Sequence, residues 1–170
     1  MLNLKARLAV ICVAIILAGW AVYQQAFEIS AIAGLGVVLL IWGYFKQGTV
    51  VLAARAFQQK DYSKTEKLLR EIKDPDYLSK NRRGFYEFMF GNIELQRDNF
   101  EEAERHFQIA SRFPLRNQND KGIVLVQLAN LNLRKKDYIK VKGYIEAARS
   151  LKISSRVQNI IQKIEKEIPK

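Results

Sequence analysis

The stretch Asn99–Ala110, NFEEAERHFQIA, decides the fold of this chain, because its opening pattern returns at a fixed spacing. An Asp or Asn followed by an aromatic residue recurs at intervals of thirty-eight positions, at Asp61-Tyr62, Asn99-Phe100 and Asp137-Tyr138. Each pair follows a helical stretch and a short polar turn, and precedes apolar residues at helical spacing. A regular period of this kind is typical of helical repeat proteins. We therefore predict an all-α stack of helix pairs.

Seven helices are predicted after the N-terminal region. Asp61, Asn99 and Asp137 can each cap the second helix of a unit, and Asn99 with Glu102 has the spacing of a capping box. Ser155 with Gln158 has the same spacing before a last helix, whose single apolar stripe would close the end of a solenoid. The predicted helices are 46–59, 62–73, 79–97, 100–113, 119–135, 138–150 and 155–167.

These residues resemble the tetratricopeptide (TPR) repeat family, which stacks antiparallel helix pairs of about 34 residues. The middle unit carries the resemblance at Phe90, Gly91, Phe100, Ala103, Phe107 and Ala110. The chain departs from the family by four extra residues per unit, which we place in the connectors KDPDYLSK and FPLRNQND. The resemblance implies repeats at about 46–78, 79–118 and 119–153, with a capping helix at 154–168. We expect Gly91 and Ala103 to lie where the two helices of the middle unit cross.

Two uncharged apolar runs precede the repeats. Residues 8–27 and 29–45 contain no Asp, Glu, Lys or Arg, and each run is near the length that crosses a bilayer. Trp20, Tyr23, Trp42 and Tyr44 fall at the ends of these runs, where interfacial aromatic residues are enriched. We predict a two-helix membrane anchor over residues 1–45 and a cytoplasmic domain over residues 46–170.

Two other interpretations of the apolar runs stay open. They could be core helices of a soluble domain, although helices that are apolar all round are not typical of small soluble domains. The first run could also be a cleaved signal peptide, since Lys5 and Arg7 precede it. The same cations, together with Lys46, Arg55 and Lys60 after the second run, favour a cytoplasmic location for both ends of the anchor. A bacterial inner membrane is the preferred location.

The chain is strongly basic, with 28 Lys and Arg against 17 Asp and Glu and a net charge of +11. We therefore expect the chain to attract anionic lipid head groups and an acidic protein partner. Nucleic acid ranks third, because acidic residues interrupt the basic clusters Arg82-Arg83, Arg134-Lys135-Lys136 and Lys140-Lys142. The oligomeric state is left open by the sequence.

No catalytic or metal-binding motif is evident. The chain has one Cys and one His, and it lacks a glycine-rich phosphate loop. We expect His106 to be a surface or packing residue, and Cys12, in the first span, to pack against lipid or the neighbouring helix. No enzyme activity, metal or cofactor is predicted.

In the TPR family, ligands contact the first helix of each unit. The resemblance places Phe85, Phe88, Asn92 and Gln96 of the middle unit on this face, with Ile123, Val126, Asn130 and Arg134 of the third. It implies that Asn92 and Asn130, which lie one period apart, hold the backbone amides of a bound peptide. The predicted function is that of a membrane-anchored TPR adaptor that recruits protein partners. The alternatives are an accessory subunit of a membrane complex, whose spans make the main contacts, and a basic module that binds RNA or anionic lipid.

Overall fold

The computed structural model describes residues 34–36 and 49–169. Its contacts divide the chain into two compact units, Met1–Thr49 and Val50–Lys170, and the architecture below is that of the second. No helix of the described residues is long and apolar enough to cross a membrane. Both predicted spans lie outside these residues, apart from the helical residues 34–36 in the second span. Trp20, Tyr23, Trp42 and Tyr44 also lie outside them.

The all-α prediction is confirmed for the described residues, which contain no β-strand. From residue 49 onward they form seven α-helices and one short 3-10 helix, Pro75–Tyr77. The α-helices are α1 (49–58), α2 (Tyr62–Arg70), α3 (Lys80–Gln96), α4 (Phe100–Arg112), α5 (Gln118–Arg134), α6 (Tyr138–Arg149) and α7 (Ser155–Glu167).

Helix α2 ends three residues before its predicted end. The Asp74-Pro75 pair prevents the helix from continuing beyond this connector, because a residue before proline is disfavoured in the helical conformation. Asp74 instead starts the 3-10 helix, where its carboxylate accepts a hydrogen bond from Asp76 N at 3.0 Å. The second connector is shifted by one residue, since α4 ends at Arg112 and α5 begins at Gln118.

The turn between the two helices of a unit is the same in all three units. Its first residue has a positive φ, at Lys60 (61°), Asp98 (60°) and Lys136 (58°). The N–H of the next residue donates to a carbonyl five residues earlier, with distances of 3.0 Å for Asp61 to Ala56, Asn99 to Glu94 and Asp137 to Asn132. This pattern is a Schellman motif, which ends a helix and reverses the chain. The period in the sequence is therefore also a period in the backbone.

Two of the three predicted caps are confirmed. Asp61 and Asp137 accept hydrogen bonds from the N–H groups of Lys64 (3.0 Å) and Lys140 (3.2 Å). The capping box at Asn99 is wrong, because the Asn99 amide donates to the Glu94 carboxylate at 2.7 Å and makes no cap bond.

The last helix already includes the residue that was expected to cap it. The capping box at Ser155 is wrong, since α7 begins at Ser155, and Ser154 is its N-cap without a side-chain cap bond. Instead, Ser154 N donates to the side chain of Asn119 at 2.8 Å, which ties this connector to α5.

Glycines allow neighbouring segments of one unit to approach the first helix closely. A Cβ atom on Gly91 would lie 2.8 Å from the Phe107 ring, and Ala103 is fully buried, so the predicted helix crossing is confirmed. Gly84 and Gly122, also one period apart, face the connectors that follow the second helices of their units. A Cβ on Gly84 would lie 2.9 Å from Phe113, and one on Gly122 would overlap Ile153.

The core runs through the stack as two clusters. The first contains residues of α1 to α5, and the second contains residues of α5, α6 and α7. Val157, Ile161 and Ile164 of α7 are buried in the second cluster, so this helix covers the end of the described stack. Ile160, beside Ile161 on the same helix, is 38% exposed.

We predict that Gly91→Leu lowers the free energy of unfolding by about 1–3 kcal/mol, because the new side chain must displace the Phe107 ring. Gly143→Leu is the matched control, since a Cβ on Gly143 of α6 meets nothing within 4 Å. Urea unfolding of the full chain, followed by far-ultraviolet circular dichroism, measures both. Equal stability of the two variants would contradict the helix crossing.

Candidate partner-binding surface

Three side chains of the predicted ligand face are exposed: Gln96, Asn130 and Arg134. Gln96 and Arg134 are the last residues of α3 and α5, at equivalent positions of neighbouring units. Asn130 lies one helical turn before Arg134. These residues provide amide and guanidinium groups to solvent near the carboxyl ends of the first helices.

The apolar half of the predicted face lies largely in the core. Phe88 is 9% exposed, with its ring centroid 5.8 Å from Phe57 and 5.7 Å from Phe85. Phe85 and Ile123 are partly buried against the first core cluster, and Val126 is buried in the second. Phe88 and Val126 therefore serve mainly packing, and Phe85 is the aromatic residue of this set that a ligand can reach.

The two equivalent asparagines differ in their surroundings. The Asn92 side chain is half-buried, and its Nδ2 donates to the Phe88 carbonyl of the same helix at 2.7 Å. This bond occupies one of the two donor positions of the amide. Asn130 is exposed and has no side-chain hydrogen bond to another described residue. Asn130 is therefore the better placed of the two to bind a partner.

A polar ladder joins α4 to α5 beside this surface. Glu104 is 7% exposed, and its carboxylate accepts hydrogen bonds from Asn132 Nδ2 at 2.9 Å and Lys135 Nζ at 2.5 Å. Burial raises the pKa of Glu104, but the hydrogen bonds from Lys135 and Asn132 outweigh it and leave that pKa below its ordinary value. The Arg134 guanidinium lies 3.8 Å from the centroid of the Phe100 ring.

The same ladder occurs one unit earlier. Glu66 of α2 binds Arg97, and these two positions lie one period before Glu104 and Lys135. The hydrogen bond from Arg97 lowers the pKa of Glu66. A carboxylate on each of these second helices thus binds a cation just after the following first helix, which fixes the position of one unit on the next.

A second ionic cluster surrounds Glu87, which is 2% exposed in α3. Its carboxylate lies 2.9 Å from Arg83 Nη2 and 2.5 Å from His106 Nδ1, and Arg83 Nη1 lies 3.0 Å from Asp76. The His106 ring stacks on Phe90 with a centroid separation of 5.3 Å. His106 is therefore a packing residue that links α4 to α3. No group of His, Cys, Asp and Glu among the described residues could hold a metal ion.

The sequence reasoning missed Glu87 and Glu104. A signal was present for Glu87, because it is the only charged residue within GFYEFMFG and a lone acid in an apolar run needs a buried partner. Glu104 gave no such signal, since it lies in the acidic segment EEAE and only the packing of α4 on α5 distinguishes it from its neighbours.

The predicted basic clusters are partly engaged within the fold. Arg83, Lys135 and Lys140 each form an ion pair with a carboxylate, and Arg134 stacks on Phe100. These contacts fix each of the four cations to its own partner, at separate places in the fold. They weaken the case for a continuous basic stripe that could follow a nucleic-acid backbone.

We predict that the contribution of the Glu104 contacts to the free energy of unfolding is lost in acid. Because the folded-state pKa of Glu104 lies below its ordinary value of 4.5, its contribution is complete above that pH and disappears as the pH falls below the folded-state value. Glu104→Gln should reduce the free energy of unfolding at neutral pH by about 1–3 kcal/mol and flatten its pH dependence in acid. Glu102→Gln, at an exposed residue of the same helix, is the control. Urea unfolding between neutral and acidic pH measures this, and identical pH profiles for the two variants would contradict the role of Glu104.

No family model, curated protein or solved structure matches this chain. The resemblance to the tetratricopeptide family therefore stays a prediction.

Proposed function

We propose that this chain is a membrane-anchored helical-repeat adaptor of the tetratricopeptide type, which recruits a protein partner to the cytoplasmic face of a membrane. The observation that carries the proposal is the repeated unit itself. The turn, the ion-pair ladder and the close-packed glycines Gly84 and Gly122 each recur with the same period. Stacked helix pairs of this kind offer an extended surface to other proteins.

The anchor is proposed from the sequence. Two apolar runs without a charge, residues 8–27 and 29–45, precede the repeats. Insertion of the first run is favoured by about 3–5 kcal/mol on biological insertion scales, before penalties for its polar residues. Cations on both sides of the pair favour cytoplasmic ends, so the repeats would lie on that side.

The partner surface is proposed at the exposed ends of the first helices. Gln96, Asn130 and Arg134 supply hydrogen-bond donors and one exposed cation, and Phe85 adds a partly accessible aromatic ring. Arg134 has no carboxylate partner among the described residues, so its charge can attract an acidic group of a partner. A protein or peptide with acidic side chains fits this surface best.

The mechanism is tethering. An anchored adaptor confines a weakly bound partner to the membrane surface and thereby raises its effective concentration near other membrane proteins. No chemical step is required of the adaptor. Its surface amides need only bind the partner and release it.

Photo-crosslinking in native membranes tests this proposal. A photoreactive amino acid is placed at Asn130 and, as a control, at Ile139, which is 87% exposed on the second helix of the same unit. The membranes are washed with alkaline carbonate before irradiation, so that only integral proteins remain. We predict that the chain resists the wash and that position 130 captures a discrete protein, whereas position 139 does not.

Paired substitutions complete the test. A probe placed at Gln96 should capture the same protein as the probe at position 130. The double variant Asn92→Ala, Asn130→Ala should abolish capture by the probe at position 96. Release of the intact chain by carbonate would contradict the anchor. Equal capture at positions 130 and 139 would contradict the partner surface, and capture only from probes within residues 8–45 would instead favour the accessory-subunit function.

A further inference from the structure

The first helix of each unit presents one stripe of residues to the preceding unit. This stripe contains Tyr86, Phe90 and Ile93 of α3 with Arg97 just after the helix, and Val124, Leu128 and Leu131 of α5 with Lys135 just after it. Phe90 also stacks on His106 of its own unit. The α5 residues Val124, Leu128 and Leu131 belong to the same core cluster as Phe107 and Ala110 of α4, which establishes the direction of the stripe. The last position of each stripe binds the carboxylate of the preceding second helix.

The residues at the equivalent positions of the first unit are exposed. Leu52, Arg55 and Gln59 occupy the positions of Leu128, Leu131 and Lys135, which lie two periods later. Leu52 is 37% exposed, whereas Phe90 and Leu128 are 8% and 0% exposed. Val51, on the adjoining edge, is 40% exposed, although its equivalent Met89 is fully buried. We call the surface of Val51, Leu52, Arg55 and Gln59 the α1 face.

The residues of the α1 face do not suit another repeat. Arg55 replaces the buried Ile93 and Leu131, and uncharged Gln59 replaces the cations Arg97 and Lys135. A second helix like α2 or α4 would therefore have to bury a guanidinium, and its carboxylate would lose its partner. A two-fold contact centred on Arg55 would bring one guanidinium close to the other, which like charges oppose.

The charges around the α1 face suit an anionic surface. The segment of residues 50–60 has the sequence VVLAARAFQQK. It contains Arg55 and Lys60 and no Asp or Glu. Lys64 and Lys67 follow on α2, and none of these four cations forms an ion pair with another described residue. The first two acids that follow along the chain are occupied, since Asp61 caps α2 and Glu66 binds Arg70 and Arg97.

We propose that the α1 face lies on the head groups of anionic lipids, with Leu52 and Val51 entering the interfacial layer and Arg55 and Lys60 contacting phosphate. This inference rests on the proposed function, because it requires that residues 29–45 cross the bilayer. Exposed apolar side chains among cations are the composition of interfacial helices.

Site-specific fluorescence of the full chain in lipid nanodiscs tests the inference. A single cysteine is placed at Leu52 in a Cys12→Ser background and labelled with a polarity-sensitive dye. Ile160→Cys on α7 is the matched control, because Ile160 is 38% exposed and Leu52 is 37% exposed. The discs contain either phosphatidylcholine alone or phosphatidylcholine with phosphatidylglycerol, and each carries a spin-labelled lipid as a quencher.

The expected result is a blue-shifted dye at position 52 that the lipid quencher reaches in phosphatidylglycerol discs. The quenching should fall several-fold in phosphatidylcholine alone and in the Arg55→Gln, Lys60→Gln variant, while the dye at position 160 stays in water throughout. Equal behaviour at positions 52 and 160 would overturn the inference. Protection at position 52 without lipid quenching would also overturn it, in favour of a protein contact.

Failure of the proposed function gives a different result from failure of the inference. A chain that does not stay with the discs on flotation has no membrane anchor, and both proposals are then wrong. A chain that floats with the discs but keeps position 52 in water retains its anchor and loses only the lipid contact of the α1 face.

Discussion

The turn at Lys60, Asp98 and Lys136 is the constraint on which the rest of the fold depends. A left-handed backbone at a residue with a Cβ costs roughly 1–2 kcal/mol. The two hydrogen bonds of each Schellman motif offset that cost. The motif stops the first helix and sends the chain back along it after one further residue. The second helix must then lie against the first, which is why Gly91 faces the Phe107 ring.

The ladder of carboxylates and cations converts these pairs into a stack. Glu66 and Glu104 sit on second helices and bind Arg97 and Lys135 just after the next first helices. Since the two partners are equally far apart along the chain in both pairs, the ladder holds successive units in the same register. The ladder also uses part of the basic excess of the chain, so that net charge alone overstates the cationic surface available to a partner.

Most of the fold follows from local patterns, and these are visible in the sequence. The Asp or Asn before an aromatic residue identified every second helix, and the small residues at Gly91 and Ala103 identified where the helices cross. The candidate site was less predictable. The bond from Asn92 to its own helix, the burial of Phe88 and the turning of Asn99 toward Glu94 depend on which of several equally allowed partners a side chain meets. Periodicity predicts the helix face on which such a residue lies. It does not predict which neighbouring group its side chain contacts.

Amide hydrogen exchange at the three turns tests most directly whether the units are copies of one structure. The N–H groups of Asp61, Asn99 and Asp137 each donate to a carbonyl at 3.0 Å, although they lie outside the helices. Residue-resolved exchange of the full chain should find all three protected, each more slowly exchanging than the amide of the exposed Lys73 in the connector after α2. Rapid exchange at any one of them, with the flanking helices intact, would contradict a repeated turn and with it the stack of equivalent pairs.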